Sequence, residues 1–595
     1  MSKQFLAAFI LSIGLVGCGD DPAETSPGSA GQPVVNNESP DSPAAQATTA
    51  TDIASSIYRN GKIYTVDGNK SWAQALAVVD GKIVAVGSND VVMTHAGAGT
   101  VVHDLGGAMV MPGIHDTHLH PSDAGIQKTL QCSFLAGDVG DLLEIVDSCV
   151  AATPAGQWVR GGQWNDGHLA SGESPKAILD KIAPNHPVFL MDWSVHNAWV
   201  NSKALAEFGI NKDTPNPPGG VIVRDPQTGE ATGILLDNAA YNYRRQLPTY
   251  SLDKRVEALA WSIEQIAGFG VTTFKEALVT TATMQTYAAL NAQQRLPLRV
   301  KTSLTWKSSW ANSHADEQGL IEVRSTFATP MIDTRFAKIM LDGIPPAYTA
   351  ALLEPYAPSE AHGDQHRGEL MLAPEELAKD VIALDKSGLS IKMHATGDRS
   401  VRVALDAVAA ARAANDASGV MHEVSHAAMI HADDIPRFAE LNVAAEMCPI
   451  LWYPIAGLDW DAWLGPERAK MWPVKSLLEA NALVTYGSDW PVVPTPNPWR
   501  GIEAMVTRSD PAGPGDAPDW AEEAIDLAAA IRIFTHNGAI ANRAGEASGS
   551  LEVGKDADFI ALDRNIFEVP VTDVGEVQVE LMVVGGQTVF DKRSQ

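Results

Sequence analysis

Short stretches in which apolar and polar residues alternate lie near both ends of the chain. They are "SIYRNGKIYTVD", "AQALAVVDGKIVAVGS" and "VVHDLGGAMVMPG" after residue 53, and "GSLEVGKDADFIALD" and "VELMVVGGQTVFD" in the last fifty residues. A period of two predicts half-buried strands, and the Asn-Gly and Asp-Gly pairs predict tight hairpin turns. Because both ends share this pattern, we expect one small β-domain built from the two of them.

The middle of the chain alternates apolar runs of strand length with amphipathic runs of helix length. The apolar runs include "HPVFLMD", "GVTTFKEA", "LRVKTSLTW", "AKIMLDG", "SIKMHATGD", "VAAEMCP" and "LVTYGSD". Such alternation over several hundred residues favours a parallel α/β fold, most simply a TIM-type barrel. A doubly wound sheet is the alternative, although no Gly-x-Gly-x-x-Gly motif follows a strand. Residues 155–250 form an expected insertion, in which "PPGGVIVRDPQTGEATGILLD" predicts a hairpin.

Length and charge narrow the function classes. The chain has 595 residues, 45% of them apolar, so we expect a globular protein with more than one domain. Its net charge of −29 argues against nucleic-acid binding, which requires basic surfaces. No run of 18 or more apolar residues is present, so no transmembrane helix is expected.

The first 52 residues carry targeting features. Residues 1–18 resemble a bacterial lipoprotein signal peptide, because Leu15-Val16-Gly17-Cys18 is similar to a lipobox. This resemblance implies cleavage before Cys18 and a lipid on its sulfur; an ordinary cleaved signal is the alternative. Residues 19–52 are polar and Pro-rich, which is typical of a flexible linker. We therefore expect a protein of the bacterial cell envelope that faces the periplasm. Its N-terminal lipid would be its only attachment to the membrane, and the outer membrane is the expected location.

Three further cysteines have two open interpretations. An exported compartment permits a disulfide between Cys132 and Cys149, whereas three buried thiols, including Cys448, are the alternative. No Cys-x-x-Cys motif is present, so a thiolate zinc site is not expected.

Histidines and one aspartate follow the apolar runs. In "MPGIHDTHLHP", His118 and His120 are two residues apart on a predicted strand, so both face one side and can share a metal ion. His394, His426 and Asp489 end three later runs. The carboxyl ends of barrel strands form one rim, where such side chains would meet. Singly, each has a structural alternative: a hydrogen-bonded core histidine, or an aspartate that caps a helix.

Several longer motifs identify a family. They are "MPGIHDTHLH", "GGQWNDG", "HNAWVNSKAL", "AKIMLDG", "TAALLEPY", "HATGDRSV", "SHA", "GSDWPV" and "GSLEVGKDADFIALD". With these motifs the chain resembles the amidohydrolase superfamily, specifically its amidohydrolase-3 (YtcJ-like) family, over about residues 55–590. The resemblance implies a distorted (β/α)8 barrel over residues 113–545. It also implies a β-sandwich from residues 53–112 and 546–595, and metal-dependent hydrolysis.

The resemblance also implies a set of ligands for one or two divalent ions, with zinc as the expected metal. Those ligands are His118, His120, Lys338, His394, His426 and Asp489. Asp489 would also accept a proton from the attacking water, and His426 is a candidate for polarising the carbonyl if only one metal is held. Lys338 would be carboxylated by CO2, because a protonated lysine has no lone pair for a metal. The alternative is a charged Lys338 paired with Asp342 or with a substrate carboxylate.

Some positions depart from the family pattern or extend it. Ser425 replaces a glutamate that is usual in the family and that could orient His426. Glu423 shares a strand face with Ser425 and could take over this role. Cys448 replaces a usual glutamine. His115 has the opposite strand parity to His118, so it is not expected to be a ligand. Glu276 is a further strand-end carboxylate that could bridge two ions instead of Lys338.

The substrate is expected to be a small molecule with an amide-type C–N bond. Loop aromatic residues favour an apolar or aromatic N-acyl group, and no arginine cluster suited to a phosphorylated substrate stands out. These aromatic residues are Trp306, Trp310, Trp452, Tyr453, Trp460, Trp463, Trp472 and Trp490. The alternatives are a carboxylester or lactone hydrolase, attacked by the same metal-activated hydroxide, and an inactive ligand-binding lipoprotein. The oligomeric state stays open, with a homodimer as one alternative.

Overall fold

The computed structural model describes residues 53–594 apart from short segments. Those segments are 70, 134–138, 165–168, 170–171, 193–194, 309–312, 360–361, 417–418, 453–459, 466–467, 469–470 and 512–519. Among the described residues, no helix has the length and apolar character needed to cross a membrane.

Twenty-four strands are present in the described part of the chain. In chain order they are β1 (Ser56–Arg59), β2 (Lys62–Tyr64), β3 (Trp72–Ala73), β4 (Ala75–Val79), β5 (Lys82–Gly87), β6 (Val101–Asp104), β7 (Met109–Pro112), β8 (Ile114–Leu119), β9 (Cys132–Ser133), β10 (Val159–Trp164), β11 (Val188–Asp192), β12 (Asn197–Val200), β13 (Gly220–Arg224), β14 (Ala231–Asp237), β15 (Val271–Val279), β16 (Arg299–Thr305), β17 (Ile332–Met340), β18 (Ser390–Ala395), β19 (His422–His426), β20 (Val443–Met447), β21 (Leu483–Tyr486), β22 (Phe559–Leu562), β23 (Val579–Val584) and β24 (Gln587–Asp591).

Seventeen α-helices accompany the strands within the same described residues. They are α1 (Asn89–Met93), α2 (Pro121–Leu130), α3 (Val139–Ala152), α4 (Pro175–Ile182), α5 (Ser202–Glu207), α6 (Asn238–Arg244), α7 (Leu252–Gly268), α8 (Thr281–Ala292), α9 (His314–Val323), α10 (Pro374–Lys386), α11 (Asp398–Ala414), α12 (Ile435–Glu440), α13 (Trp460–Leu464), α14 (Val474–Glu479), α15 (Pro498–Thr507), α16 (Leu527–Arg532) and α17 (Gly538–Ala541).

Eight parallel strands form the predicted barrel, in the order β8, β15, β16, β17, β18, β19, β20, β21. Helices connect successive strands, as parallel pairing requires. Hydrogen bonds join the first strand to the last: Thr117 Oγ1 donates to the Tyr486 carbonyl at 2.8 Å. The Asp489 N–H donates to the His118 carbonyl at 2.7 Å. The barrel prediction is therefore confirmed.

Helix α7 shows how the outer helices pack. Ser251 caps its first turn by accepting a hydrogen bond from the Lys254 N–H. Its buried residues recur at helical spacing, so one face packs inward: Val256, Leu259, Ile263 and Ile266. The neighbouring helix α2 contributes Gly125, where an added Cβ would lie 2.0 Å from the Ala258 carbonyl oxygen. Glycine therefore permits the close approach of these two helices.

Both chain ends build the small β-domain, as the alternating pattern predicts. One sheet has the order β24, β23, β22, β7, β2, β3, and the other has the order β5, β4, β1, β6. Strand β22 near the C-terminus pairs antiparallel with β7, aligning Phe559 with Pro112. Residues from both ends, including Tyr58, Ile63 and Phe559, form one buried apolar cluster.

A third sheet is inserted between the first two barrel strands, in the order β13, β14, β12, β11, β10, β9. The predicted hairpin is present, because β13 and β14 pair antiparallel. Cys132 and Cys149 form a disulfide in this region, so the paired interpretation is confirmed, and Cys448 is a free buried thiol. The insertion covers one side of the barrel mouth, where it contributes to the cavities described below.

Candidate metal centre

All six predicted ligands lie together at the carboxyl ends of the barrel strands. His118 lies in β8 and His120 directly follows it, whereas Asp489 follows the last strand, β21. Strands β17, β18 and β19 carry Lys338, His394 and His426 respectively. These six residues line one cavity of about 1160 Å³ that opens to solvent.

Three of these side chains form a close donor cluster. The Nε2 atom of His118 lies 3.6 Å from Oδ1 of Asp489, and Nε2 of His120 lies 3.4 Å from the same oxygen. One ligand atom from each of His118, His120 and Asp489 can be chosen so that all lie within 4.8 Å of one another. Two imidazoles and one carboxylate at this spacing could bind a single divalent cation.

Glu446 orients the first of these imidazoles, and the sequence interpretation missed it. The Nδ1 atom of His118 donates to Oε2 of Glu446 at 2.6 Å. Burial raises the pKa of Glu446, but the Lys392 ammonium outweighs this effect and lowers the pKa to about 2. An ionised Glu446 holds the proton on Nδ1, which leaves the Nε2 lone pair directed at the cavity.

A buried charge network continues behind Glu446. The Lys392 Nζ atom lies 2.7 Å from Glu446 Oε2 and 2.9 Å from Glu423 Oε2, and Lys275 also pairs with Glu423. All four side chains are fully buried in the barrel. Each one interrupts an apolar run, such as "VAAEMCP" or "SIKMHATGD", and this interruption is the signal that could have found them. Glu423 therefore supports Glu446 through Lys392, and its contacts are not with His426.

Burial keeps three of the four candidate histidine ligands neutral, whereas the contact of His120 with Asp489 outweighs burial and raises the pKa of His120. Burial lowers the pKa of His118, His394 and His426 well below the usual value. The His394 and His426 ring centroids lie 4.5 Å apart, and those of His118 and His426 lie 4.7 Å apart. Neutral imidazoles retain the lone pair that a metal ligand needs, so this donor set fits a divalent ion.

Lys338 lies in the same buried cluster. Its Nζ atom donates to Ser425 Oγ at 3.3 Å. Burial lowers the pKa of Lys338 to about 7, and the Lys392 ammonium acts in the same direction. The alternative partner Asp342 instead accepts hydrogen bonds from Ala351, Thr396, Gly397 and Ser400. The Lys338–Asp342 pair, which was the alternative to a carboxylated lysine, is therefore not formed.

Two residues that depart from the family pattern also lie here. Ser425 Oγ donates to the Met393 carbonyl at 3.1 Å, besides accepting from Lys338. The Cys448 sulfur lies 3.3 Å from Glu446 Oε1 and 3.6 Å from His426 Nδ1. Burial raises the pKa of Cys448 well above the usual value, so this thiol is protonated.

Glu276 lies at the edge of the cluster, and His115 lies outside it. Glu276 Oε1 is 3.8 Å from His120 Nδ1, whereas its Oε2 accepts from Tyr287 Oη at 2.7 Å. Glu276 therefore contacts the outer side of His120. His115 faces Ser548 and Asn542 at 3.4–3.5 Å, on the opposite strand face, as its parity predicts.

The backbone is unusual at two of the candidate ligands. His426 and Asp489 have positive φ angles of 68° and 59°. Residues other than glycine rarely adopt this left-handed conformation, and it persists only where the surrounding structure imposes it. Both residues stand at strand ends, where the chain turns their side chains toward the cavity.

The remaining wall of the cavity is mainly apolar. Of the predicted aromatic residues that the structure describes, Trp460 and Trp472 line it, together with Met471 and Ile344. Trp306, Trp452, Trp463 and Trp490 lie outside the lining, and Trp310 and Tyr453 lie outside the described residues. Across the cavity, the insertion contributes His196, whose Nδ1 is 3.0 Å from Asp237 Oδ1. The sequence interpretation did not single out His196.

Comparison with known proteins gives a consistent result. The amidohydrolase family model matches residues 101–590. An N-substituted formamide deformylase of Arthrobacter pascens is 28% identical over 544 residues, which is 90% of this chain and 98% of that protein. A putative amidohydrolase, YtcJ, of Bacillus subtilis (strain 168) is 28% identical over 557 residues, which is 90% and 99% of the two chains.

A solved structure shares the fold. An uncharacterised metal-dependent hydrolase of Pyrococcus horikoshii OT3 superposes with a TM-score of 0.70 at 23% identity. The match covers 87% of this chain and 99% of that one.

Proposed function

This chain belongs to the amidohydrolase family, and on that basis we propose that it is a metal-dependent amidohydrolase. Its reaction would be hydrolysis of the C–N bond of a small N-acyl substrate with an apolar or aromatic part. The observation that carries this proposal is the cluster of His118, His120 and Asp489, with ligand atoms within 4.8 Å of one another.

The expected ion is zinc, and one or two ions are proposed. His118, His120 and Asp489 would hold the first ion, and Lys338, His394 and His426 would complete the site. A bound divalent ion supplies Lewis acidity, which lowers the pKa of water and polarises a carbonyl group. Glu446 would fix the tautomer of His118 for this role.

Asp489 is proposed to move the proton. The water oxygen attacks the carbonyl carbon while the Asp489 carboxylate takes a proton from that water. Asp489 then delivers the proton to the leaving nitrogen, the C–N bond breaks, and a carboxylic acid and an amine result. If only one ion is held, His426, which lies 4.0 Å from Asp489 Oδ2, is proposed to stabilise the developing charge on the carbonyl oxygen instead of binding metal.

Lys338 is proposed to be carboxylated on Nζ. Its amine would add to CO2 and lose a proton, which converts a cation into an oxygen ligand with one negative charge. The Lys338 side chain is buried among candidate ligands, and it forms no ion pair with a carboxylate among the described residues. Ser425 Oγ, which is 3.3 Å from Lys338 Nζ, would lie beside the carbamate.

The substrate class follows from the cavity wall. Trp460, Trp472 and Met471 line the cavity beside the candidate ligands and would contact an apolar or aromatic group. The similarity to an N-substituted formamide deformylase supports formamides with such a substituent as the first compounds to test.

Metal content and turnover together test the proposal. Elemental mass spectrometry should find one to two equivalents of zinc per chain, and this metal should be lost in His118→Ala/His120→Ala. The control, His431→Ala, changes an exposed histidine outside the site and should retain the metal. Hydrolysis of N-arylalkyl formamides is expected, whereas turnover of the matched formate esters alone would make the protein an esterase. Stoichiometric metal without any turnover would favour a ligand-binding lipoprotein instead.

We further propose that the mature chain is anchored by a lipid on Cys18 and faces the periplasm. Full-length protein should partition into the detergent phase of a Triton X-114 extraction, whereas Cys18→Ala should remain in the aqueous phase. Equal partitioning of both forms would contradict the lipid anchor.

A further inference from the structure

A second cavity adjoins the candidate metal centre on the side of the inserted sheet. Its volume is about 1570 Å³, and strands β10 and β11 contribute to its wall. It shares five lining residues with the first cavity, namely Asp123, Gln127, Val195, Tyr241 and Leu278. The two cavities therefore lie side by side, so one ligand could occupy both.

Four arginines line this second cavity: Arg160, Arg244, Arg245 and Arg255. They come from β10, from the end of α6 and from α7, so Arg160 is distant in sequence from the other three, which lie within residues 244–255. No arginine cluster suited to a phosphorylated substrate stands out in the sequence, and these four arginines line one cavity only in the folded chain. Folding brings Arg160 of the inserted sheet to the same cavity as the three arginines at residues 244–255.

The acidic residues of the cavity already have protein partners. Asp123 pairs with Arg244 at 3.4 Å. Asp192 accepts from the Asn197 N–H at 3.0 Å and from Asn197 Nδ2 at 2.8 Å. Glu276 accepts from Tyr287 at 2.7 Å. None of these contacts is with Arg160 or Arg255.

Arg160 and Arg255 lack a carboxylate partner among the described residues. The Arg160 guanidinium lies 4.9 Å from the centre of the Tyr250 ring. Arg255 Nη1 donates to the Ala282 carbonyl and to Thr286 Oγ1, and its Nε atom is buried without a hydrogen-bond partner. Burial lowers the pKa of both guanidinium groups, and Tyr250 offsets only part of this lowering at Arg160.

We propose that this cavity binds a carboxylate of the substrate through Arg160 and Arg255. A guanidinium matches a carboxylate in shape and charge, and a partly buried one gains most from such a partner. The inference rests on the proposed amide hydrolysis and specifies its substrate: an amide with an apolar part and an anionic end. The amide would lie at the candidate metal centre, and the carboxylate would reach into the arginine-lined cavity.

A matched series of compounds tests this subsite. The acids are ω-formamidoalkanoates of two to eight carbons, and each neutral counterpart is the N-alkylformamide of the same length. At the best length, wild-type protein should prefer the acid by about tenfold or more in kcat/KM, as expected for charge-assisted hydrogen bonds. Arg160→Gln and Arg255→Gln should each lower this preference toward one, and Arg255→Lys should restore part of it.

Arg295→Gln is the control, because Arg295 is exposed, pairs with Glu257 and lies outside the lining of both cavities. It should keep the wild-type preference. Circular dichroism confirms folding, and Arg160→Gln remains informative if Arg255→Gln does not fold. Equal kcat/KM for acid and neutral compounds at every length in wild-type protein would overturn the inference and leave amide hydrolysis intact.

If no formamide is hydrolysed, the same acids become stable ligands for calorimetry on the holoenzyme. Saturable binding of 6-formamidohexanoate that weakens at least tenfold in Arg160→Gln, and not in Arg295→Gln, would support the carboxylate subsite. Such a result would at the same time count against the proposed reaction on formamides. Equal affinity in wild-type protein and Arg160→Gln would overturn the subsite.

Discussion

The Nδ1 atom of His118 lies 2.6 Å from the Oε2 atom of Glu446, and both side chains are fully buried. This contact determines which nitrogen of His118 faces the cavity. The Nε2 atom then points at Asp489, 3.6 Å away, where a divalent ion could be shared. A carboxylate behind a histidine ligand is a common way to orient the ring and increase its basicity.

Replacement of Glu446 should therefore weaken metal binding. We expect Glu446→Gln to reduce the affinity for zinc about 10- to 100-fold, because a neutral amide holds the His118 tautomer less firmly. Chelator competition measures this affinity directly. Glu503→Gln is the control, since Glu503 is buried and bonds the Gly575 N–H away from the cluster. Unchanged zinc affinity in Glu446→Gln would show that the contact only packs the barrel.

Asp489 should be needed for proton transfer. Asp489→Asn keeps the shape of the side chain but removes its basicity, so kcat should fall about 10²- to 10⁴-fold. Zinc content should be reduced or retained, whereas the His118→Ala/His120→Ala protein should lose it. Steady-state kinetics on zinc-loaded protein makes the comparison. Near-normal turnover by Asp489→Asn would exclude the proposed role.

Lys338 should carry a carbamate. After equilibration with ¹³C-bicarbonate, the ¹³C NMR spectrum of the protein should contain one protein-bound carbamate signal. Lys338→Met should lack that signal. Lys301→Met is the control and should retain it, because Lys301 lies on another strand and pairs with Asp333. A spectrum without the signal in wild-type protein would mean that Lys338 acts as an amine.

Trp472 should contribute to substrate selection. Trp472→Ala removes aromatic surface from the cavity wall, so kcat/KM for an N-arylalkyl formamide should fall about tenfold, the equivalent of about 1.4 kcal/mol. A short N-alkylformamide should be affected less. Trp72→Ala, which changes a half-exposed residue of the β-domain, should affect neither substrate. Equal losses for both substrates in Trp472→Ala would point to a general effect on the fold.

The Cys132–Cys149 disulfide should stabilise the inserted sheet. The two residues are 17 positions apart, and a loop of this length corresponds to about 3 kcal/mol in the free energy of unfolding. Denaturant unfolding of Cys132→Ala/Cys149→Ala measures that loss. A chain that starts at Ala45 should show one free thiol when it is unfolded without reductant, from Cys448, and three after reduction. Three thiols before reduction would contradict the pairing.

Much of the architecture is encoded locally. Period-two alternation predicted the β-domain at both ends, and the apolar runs predicted the barrel strands, because side-chain burial follows strand and helix geometry directly. The candidate ligands were also found from local position. His394, His426 and Asp489 each end an apolar run, and the carboxyl ends of parallel strands must meet at one rim of a barrel.

Other features depend on pairings between distant segments. Glu446 interrupts an apolar run, but only the closed barrel shows that it meets His118, which is 328 residues away. Arg160 and Arg255 likewise approach one cavity because the inserted sheet folds over the barrel mouth. The alternating pattern of a segment specifies which of its faces is buried, because burial of a face depends on the residues of that segment. The partner that a buried charge meets depends on strand order and register, so the tertiary structure alone decided it.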